Sequence, residues 1–216
     1  TLDYDAFRMS LEALDTNVIQ RGGTNISAAI EEAEVAFAST SNRKIIVLIS
    51  DGDYFGIAWK YDKIHDNQVA WYADTVKKVN DTNTSRGFSG DVKSLMFFHI
   101  PLVEYGTAWN EFKANGYKNT DDVTYYYGKA GENGEKSFPG KKDGKMSQKI
   151  YELGSTKGVF CGHDHYNNFS VDYKGVRLTY GMSIDYLAYP SIYKKIEQRG
   201  GTLILTKTDG KFDVTP

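Results

Sequence analysis

The sequence predicts an α/β fold in which a layered β-sheet core is flanked by helices. Two short, continuous apolar runs, at residues 44–50 and 93–100, have the length and side-chain types of strands that are buried on both faces. Segments outside these runs carry apolar residues at helical spacing, as in residues 5–14. Helices that alternate with buried strands are typical of a layered α/β domain.

The first 50 residues are predicted to form helix, loop, helix and strand, which is one αβ unit of Rossmann-like type. The first helix covers residues 5–14. The second begins after an N-cap at Thr24 or Asn25, and its apolar face consists of Ile26, Ala29, Ile30, Ala33 and Phe37. The run at 44–50 follows as a buried strand, most simply a parallel one.

The middle of the chain is predicted to contain a loop, an amphipathic helix and a second buried strand. The helix ends near Asn80, and its apolar face consists of Val69, Tyr72, Ala73 and Val76. Pro101 stops the strand at 93–100, so His99 is expected at the carboxyl end of a core strand. In open α/β sheets, ligands bind beyond those ends.

The last hundred residues are predicted to begin with a long surface excursion. Residues 117–145 are rich in Gly, Lys, Asp and Tyr and show no sustained period; loops of that length are usually functional or mobile. The remaining predicted elements are a helix at 146–153, strands at 158–161, 168–173 and 176–180, and a closing hairpin of 202–206 and 211–214.

Composition limits the classes of partner. Lys plus Arg number 26 and Asp plus Glu 28, which gives a net charge of -2 and no long-range attraction for nucleic acid. No apolar run reaches the roughly 18 residues of a membrane helix, so no membrane segment is expected. The single Cys161 cannot form an internal disulfide, and the first residues lack the features of a signal peptide, so the compartment stays unknown.

The clearest candidate for chemistry is Gly162-His163-Asp164-His165, directly after a predicted strand. On extended backbone the two histidines would point to one side and Asp164 away, and the glycine would allow a tight turn. Imidazole binds ions such as Zn, Fe and Mn, which can supply hydroxide at neutral pH. The alternative is a solvated loop that happens to hold two histidines. Three of the four histidines follow predicted core strands, which favours a metal site.

Four segments, one of which contains this motif, match a known family in the same order. They are 66–72 (DNQVAWY), 95–105 (LMFFHIPLVEY), 158–169 (GVFCGHDHYNNF) and 199–202 (RGGT). Together they resemble the C-terminal half of calcineurin-like metallophosphoesterases, in the branch related to purple acid phosphatases. The resemblance implies part of a metallophosphoesterase sandwich that hydrolyses phosphate esters with metal-activated water.

The resemblance also implies roles for individual residues. His99 and His163 would bind one metal of a two-metal site and His165 the other, with His163 and His165 as catalytic residues. Tyr166 and Asn167 would lie at the mouth and could contact a phosphate ester substrate. The family implies divalent or trivalent Fe, Zn or Mn ions and an extracytoplasmic location.

The chain departs from this family upstream of the matching region. The motifs DxH, GDxxD and GNHD or GNHE, which supply the acidic and Asn ligands, do not occur in residues 1–60. Asp51 and Asp53 are candidates for partial substitution. Two histidines on one ion and one on the other leave most coordination positions to water, so partial metal occupancy and impaired hydrolysis are expected.

A second resemblance covers the N-terminal segment. The sequences at 15–19 (DTNVI), 22–30 (GGTNISAAI) and 45–52 (IIVLISDG) resemble the second half of a von Willebrand factor A domain of the bacterial aerotolerance type. Thr24 and Asp51 would then belong to a metal site, although the DxSxS motif is absent. The alternatives are a helix N-cap for Thr24 and a turn residue for Asp51.

Two domains and three functions follow. Residues 1–52 are predicted to be the partial von Willebrand segment and residues 53–216 the phosphoesterase part. The first function is an impaired metal-dependent phosphoesterase. The second is a non-catalytic chimeric or truncated scaffold with a partial metal site, and the third is a protein-interaction module that uses the N-terminal segment.

Overall fold

The computed structural model describes residues 63–140, 145–185 and 191–216, which form a mixed sheet flanked by helices. In chain order the elements are α1 (Asp66–Ser85), β1 (Ser94–Phe97), α2 (Val103–Ala114), β2 (Val123–Tyr127), α3 (Met146–Leu153), β3 (Thr156–Cys161), β4 (Ser170–Tyr173), β5 (Val176–Tyr180), two 3₁₀ helices (Ile192–Lys194 and Ile196–Gln198), β6 (Leu203–Thr206) and β7 (Phe212–Thr215). Five strands form one sheet in the order β1-β3-β5-β4-β2, and β6 pairs with β7. The predicted α/β fold class is confirmed.

The direction of the strands decides where the chain can place functional residues. β1 and β5 both run parallel to β3, one on each side, whereas β4 and β2 continue the sheet antiparallel. The carboxyl ends of β1, β3 and β5 therefore meet at one edge of the sheet. The segments that leave these three strands begin side by side at that edge.

An apolar core joins the helices to the sheet. Its buried members include Val69, Tyr72 and Val76 of α1, Tyr105, Ala108, Trp109 and Phe112 of α2, Ile150 of α3, and Val159, Val171, Leu178 and Tyr180 of the strands. The buried residues of α1 and of α2 recur at helical spacing, so each helix buries one face.

The helix α2 is missing from the sequence prediction, although its buried residues repeat at three and four positions. A side chain of this helix also bonds directly to the sheet. The fully buried Tyr105 donates its hydroxyl to the carbonyl of Val159 in β3 at 2.8 Å, with the carbonyl of Thr179 in β5 at 3.2 Å. One side chain thus connects α2 to two parallel strands.

Residues 117–145 are not the irregular excursion that the sequence predicts, because they contain β2. This strand pairs antiparallel with β4, with Val123 opposite Tyr173. Burial alternates along it, from the buried Val123 to the exposed Tyr126. Three successive tyrosines give both faces of the strand the same partly polar character. The sequence therefore lacks the alternation of apolar and polar residues that would predict a strand.

Several short elements agree with the sequence prediction. α3 has the predicted bounds, and β6 and β7 form the predicted closing hairpin. The strands β4 and β5 are joined by Lys174 and Gly175, whose φ values of 54° and 82° are those of a two-residue hairpin turn with both residues left-handed. β1 is shorter than predicted and only half-buried.

Other predictions fall on residues beyond these bounds. Thr24, Asp51 and Asp53, the predicted segment 1–52 and its boundary lie outside the described residues, so they stay predictions. Among the helices of the described part of the chain, none is long and apolar enough to cross a membrane.

The buried hydroxyl of Tyr105 gives a test of the packing of α2. Tyr105→Phe keeps the ring and removes the bond to Val159, so the free energy of unfolding is expected to fall by about 1–2 kcal/mol in urea denaturation. Tyr126→Phe is the matched control, because this ring is 49% exposed; its expected effect is under about 0.5 kcal/mol. Equal effects of the two substitutions would contradict this role of Tyr105.

Candidate metal-binding site

The pairing of β1 with β3 continues beyond both strands and brings two histidines together. The amide of Phe98 donates to the carbonyl of Phe160 at 3.1 Å, and the amide of Gly162 donates to the carbonyl of His99 at 3.0 Å. His163 directly follows the second of these bonds. The backbone itself therefore fixes His99 beside His163, at the carboxyl edge of the parallel strands.

The backbone at His163 is a tight turn and not the extended chain that the sequence predicts. His163 has a φ of 72°, and the amide of Asp164 donates to the carbonyl of Gly162 at 2.9 Å. That φ and that bond across one residue are features of a γ-turn, a strained conformation. The left-handed residue is thus the histidine and not the glycine. A Cβ on Gly162 would meet the His99 ring at an ordinary 3.6 Å.

The rings of His99 and His163 form a close pair. Nε2 of His99 lies 3.4 Å from Nδ1 of His163, and the ring centroids are 5.2 Å apart at an interplanar angle of 82°. At this distance the two nitrogens are within reach of a long hydrogen bond, whose donor and acceptor depend on the tautomers of the rings. Two nitrogens bound at about 2.0–2.1 Å to one tetrahedral ion would also lie about 3.4 Å apart.

His165 has a different partner, which the sequence analysis misses. Its Nδ1 lies 2.7 Å from Oδ2 of Asp185, a carboxylate that is 12% exposed. The backbone carbonyl of Asp185 accepts a bond from Nε of Arg199 at 2.6 Å. Asp185 follows β5, so it reaches the site through the parallel pairing of β5 with β3. In metal sites, a carboxylate on one ring nitrogen orients the histidine that binds the metal through its other nitrogen.

Asp164, between the two histidines, points into the protein and accepts three hydrogen bonds. Its Oδ2 receives the amide of Phe138 at 3.0 Å, the side-chain amide of Asn167 at 3.4 Å and the hydroxyl of Tyr180. Burial raises the pKa of Asp164 to about 6, and the bonds from Tyr180 and Phe138 oppose that rise. This carboxylate organises the turn through its bonds to Phe138, Asn167 and Tyr180.

The two residues expected at the mouth differ in position. Tyr166 is half-buried, and the ammonium group of Lys195 lies 4.7 Å from its ring centroid. Asn167 is only 1% exposed, and both ends of its amide bond to the backbone of residues 132–136. Asn167 is thus buried against residues 132–136, and its place at the mouth of the site stays a prediction.

The imidazoles fit part of a metal centre. The spacing of His99 and His163 suits two ligands of one ion, and imidazole suits Fe, Zn and Mn-type ions. Within the part of the chain that the structure describes, no three His, Cys, Asp or Glu residues are grouped so as to hold a metal. The described residues thus do not complete the two-metal site that the sequence resemblance implies.

Curated relatives of the chain come from Arabidopsis thaliana. "Probable inactive purple acid phosphatase 14" is 26% identical over 152 residues, 68% of this chain and 34% of the relative. "Probable inactive purple acid phosphatase 29" is 28% identical over 160 residues, 71% and 37% of the two chains. "Probable inactive purple acid phosphatase 28" is 29% identical over 129 residues, 60% and 28%. The chain spans about a third of the length of these relatives.

These similarities support a metallophosphoesterase-related C-terminal region with a phosphoesterase-like scaffold. No protein-family model matches the chain, and no solved structure matches it. The names of the relatives say nothing of a von Willebrand factor A domain, so that half-domain stays a prediction.

The role of Asp164 can be separated from its charge. Asp164→Ala leaves three donors without their acceptor and is expected to lower the free energy of unfolding by about 2–3 kcal/mol at neutral pH. Asp164→Asn keeps an acceptor and removes a charge that burial disfavours, so its expected cost is under about 1 kcal/mol. Urea denaturation measures both. A loss for Asn as large as that for Ala would mean that the charge, and not the acceptor, organises the turn.

The bond between Asp185 and His165 predicts which ring nitrogen carries the proton. Neutral His165 is expected as the tautomer protonated on Nδ1, because the carboxylate accepts that proton. The ¹⁵N chemical shifts of its two ring nitrogens measure this. Asp185→Ala is expected to remove the preference and to leave the shifts of the exposed His65 unchanged. A wild-type ring protonated mainly on Nε2 would contradict the assignment.

Proposed function

We propose that this chain carries a phosphoesterase-like scaffold that binds one first-row metal ion through His99 and His163 and hydrolyses phosphate esters weakly or not at all on its own. The observation that carries the proposal is the 3.4 Å between Nε2 of His99 and Nδ1 of His163. The backbone bonds from Phe98 to Phe160 and from Gly162 to His99 hold the two segments that carry these rings side by side.

The chemistry of the pair favours an ion of the kind that the relatives' name implies. Purple acid phosphatases imply Fe, Zn or Mn, and neutral imidazole is a suitable ligand for all three. His165 would serve a second ion through Nε2, with Asp185 fixing its ring. Such an ion polarises a phosphoryl oxygen and supplies hydroxide when it is bound.

The number of ligands argues for weak activity. A pair of imidazoles leaves half of a tetrahedral shell to water, and a lone His165 holds a second ion poorly. The acidic and Asn motifs that would complete the shells do not occur in residues 1–60. Asp51 and Asp53 could add one carboxylate. The relatives are themselves named inactive, which supports a scaffold with a partial, partly occupied metal site.

Metal titration tests the proposal directly. Protein that has been stripped with a chelator is expected to bind one Co²⁺ or Zn²⁺ per chain, and His163→Ala is expected to weaken this binding at least about tenfold. His65→Ala is the matched control, because it removes an exposed imidazole outside the pair. Hydrolysis of an aryl phosphate is expected to stay near the uncatalysed rate.

Two results would contradict the proposal in different ways. If the wild-type chain retains no ion, His99 and His163 do not form a metal site. Two tightly held ions, with hydrolysis that His163→Ala abolishes, would establish a competent enzyme and refute the partial site.

A further inference from the structure

Residues 128–138, which we call the clamp, run beside the turn that carries His163 and His165. Beyond the end of β2, the amide of Gly131 donates to the carbonyl of Tyr166 at 3.0 Å, and the amide of Asn168 donates to the carbonyl of Lys129 at 3.1 Å. Ala130 and Asn167 form an antiparallel bridge between these bonds. The antiparallel pairing of β2 with β4 thus continues up to the histidine turn (residues 162–167).

Two buried side chains lock the clamp to the turn reciprocally. Asn167, 1% exposed, accepts the amide of Glu132 at 3.2 Å on its oxygen and donates to the carbonyl of Lys136 at 2.8 Å. Glu132, 5% exposed, accepts the amide of Tyr166 on Oε1 at 3.0 Å. Each of the two segments supplies a side chain that satisfies the backbone of the other.

The clamp also contacts the turn at the residue between its two histidines. The amide of Phe138 donates to the Asp164 carboxylate. Near the other end, the approach of the two backbones leaves no space for a side chain: a Cβ on Gly131 would lie 2.4 Å from the carbonyl oxygen of Tyr166. The turn is therefore fixed from residue 164 to residue 168 by one neighbouring segment.

The conformation of His163 explains why such fixing matters. A left-handed φ of 72° is disfavoured for a residue with a Cβ. Such a conformation persists where contacts from the surrounding structure hold the backbone in place. The bond from Asp164 to Gly162 lies within the turn and does not by itself hold the turn against relaxation. The bonds from the clamp and the bond from the Tyr180 hydroxyl to Asp164 anchor the turn to other elements of the fold.

We propose that the clamp positions the imidazole of His163 against that of His99, and that Asn167 and Glu132 are positioning residues for metal binding. The metal part of this inference rests on the proposed function, whereas the positioning of the ring does not. A purely stabilising role for the same bonds would lower the free energy of unfolding and leave the ring pair in place in the folded protein.

The test compares substitutions that break the clamp with substitutions that do not. Asn167→Ala and Glu132→Met remove the locking groups, Glu132→Gln keeps the acceptor for the amide of Tyr166, and Asn115→Ala removes two amide-to-carbonyl bonds at a turn after α2. The readouts in metal-free protein are the ¹⁵N shifts of the His99 and His163 rings and the hydrogen exchange of the amides of residues 164 and 167. Co²⁺ titration follows as a third readout.

The breaking substitutions are expected to shift both rings, to raise amide exchange in the turn about tenfold or more, and to weaken Co²⁺ binding by about 10- to 100-fold. Glu132→Gln and Asn115→Ala are expected to leave all three unchanged. If Asn167→Ala does not fold, the same three readouts are compared between Glu132→Met, which removes the acceptor, and Glu132→Gln, which keeps it. If the breaking variants fold with unchanged ¹⁵N ring shifts and unchanged amide exchange in the turn, the clamp does not position His163.

The two proposals fail separately. A wild-type chain that binds no Co²⁺ would refute the proposed function, while the ring shifts and exchange rates would still decide the clamp. The wild-type chain could instead bind Co²⁺ while Asn167→Ala and Glu132→Met change neither the affinity nor the ring shifts. That result would retain the proposed function and refute the positioning role of the clamp.

Discussion

The parallel pairing of β1 and β5 with β3 is the constraint on which the site depends. It aligns three strand ends at one edge, and the residues that follow those ends are His99, His163 with His165, and Asp185. None of these side chains is near another in sequence except within the motif at 162–165. The sheet converts that separation into distances of 3.4 Å and 2.7 Å between ring nitrogens and their partners. Packing supports this through Tyr105, which bonds α2 to the same parallel strands.

The site combines a strained turn with polar groups that hold it. The left-handed His163 gives its ring a direction that extended backbone would not, and the conformation is maintained by bonds from residues 132–138 and from Tyr180. Buried polar groups are costly unless they are paired, and here Asp164, Asn167 and Glu132 pair with backbone amides and carbonyls. The network therefore fixes the turn that carries His163 and His165. The same geometry suits a scaffold with a partial site as well as an active centre.

The sequence identifies the histidines of the candidate site but not their geometry. His99 and the pair at 163 and 165 are identified because each follows an apolar run with strand character. Asp185 is not, since it lies twenty residues from His165 and is brought near only by the register of β5 on β3. β2 is missed because its tyrosines hide the period of two, whereas the buried positions of α2 do show helical spacing and could have been found. The residues Gly162-His163-Asp164 carry no local signal for the γ-turn, since the groups that bond to Asp164 from outside the turn, Phe138 and Tyr180, lie far from it in the sequence.

The central claim is that His99 and His163 act together on one ion, and a double-mutant cycle on Zn²⁺ affinity tests it most directly. His99→Ala and His163→Ala are each compared with the wild-type chain and with the double substitution, all under one buffer and one competitor chelator. If the two rings share an ion, each single substitution abolishes most of the binding and the double substitution adds little. Independent, additive losses, or full binding in either single variant, would contradict the account.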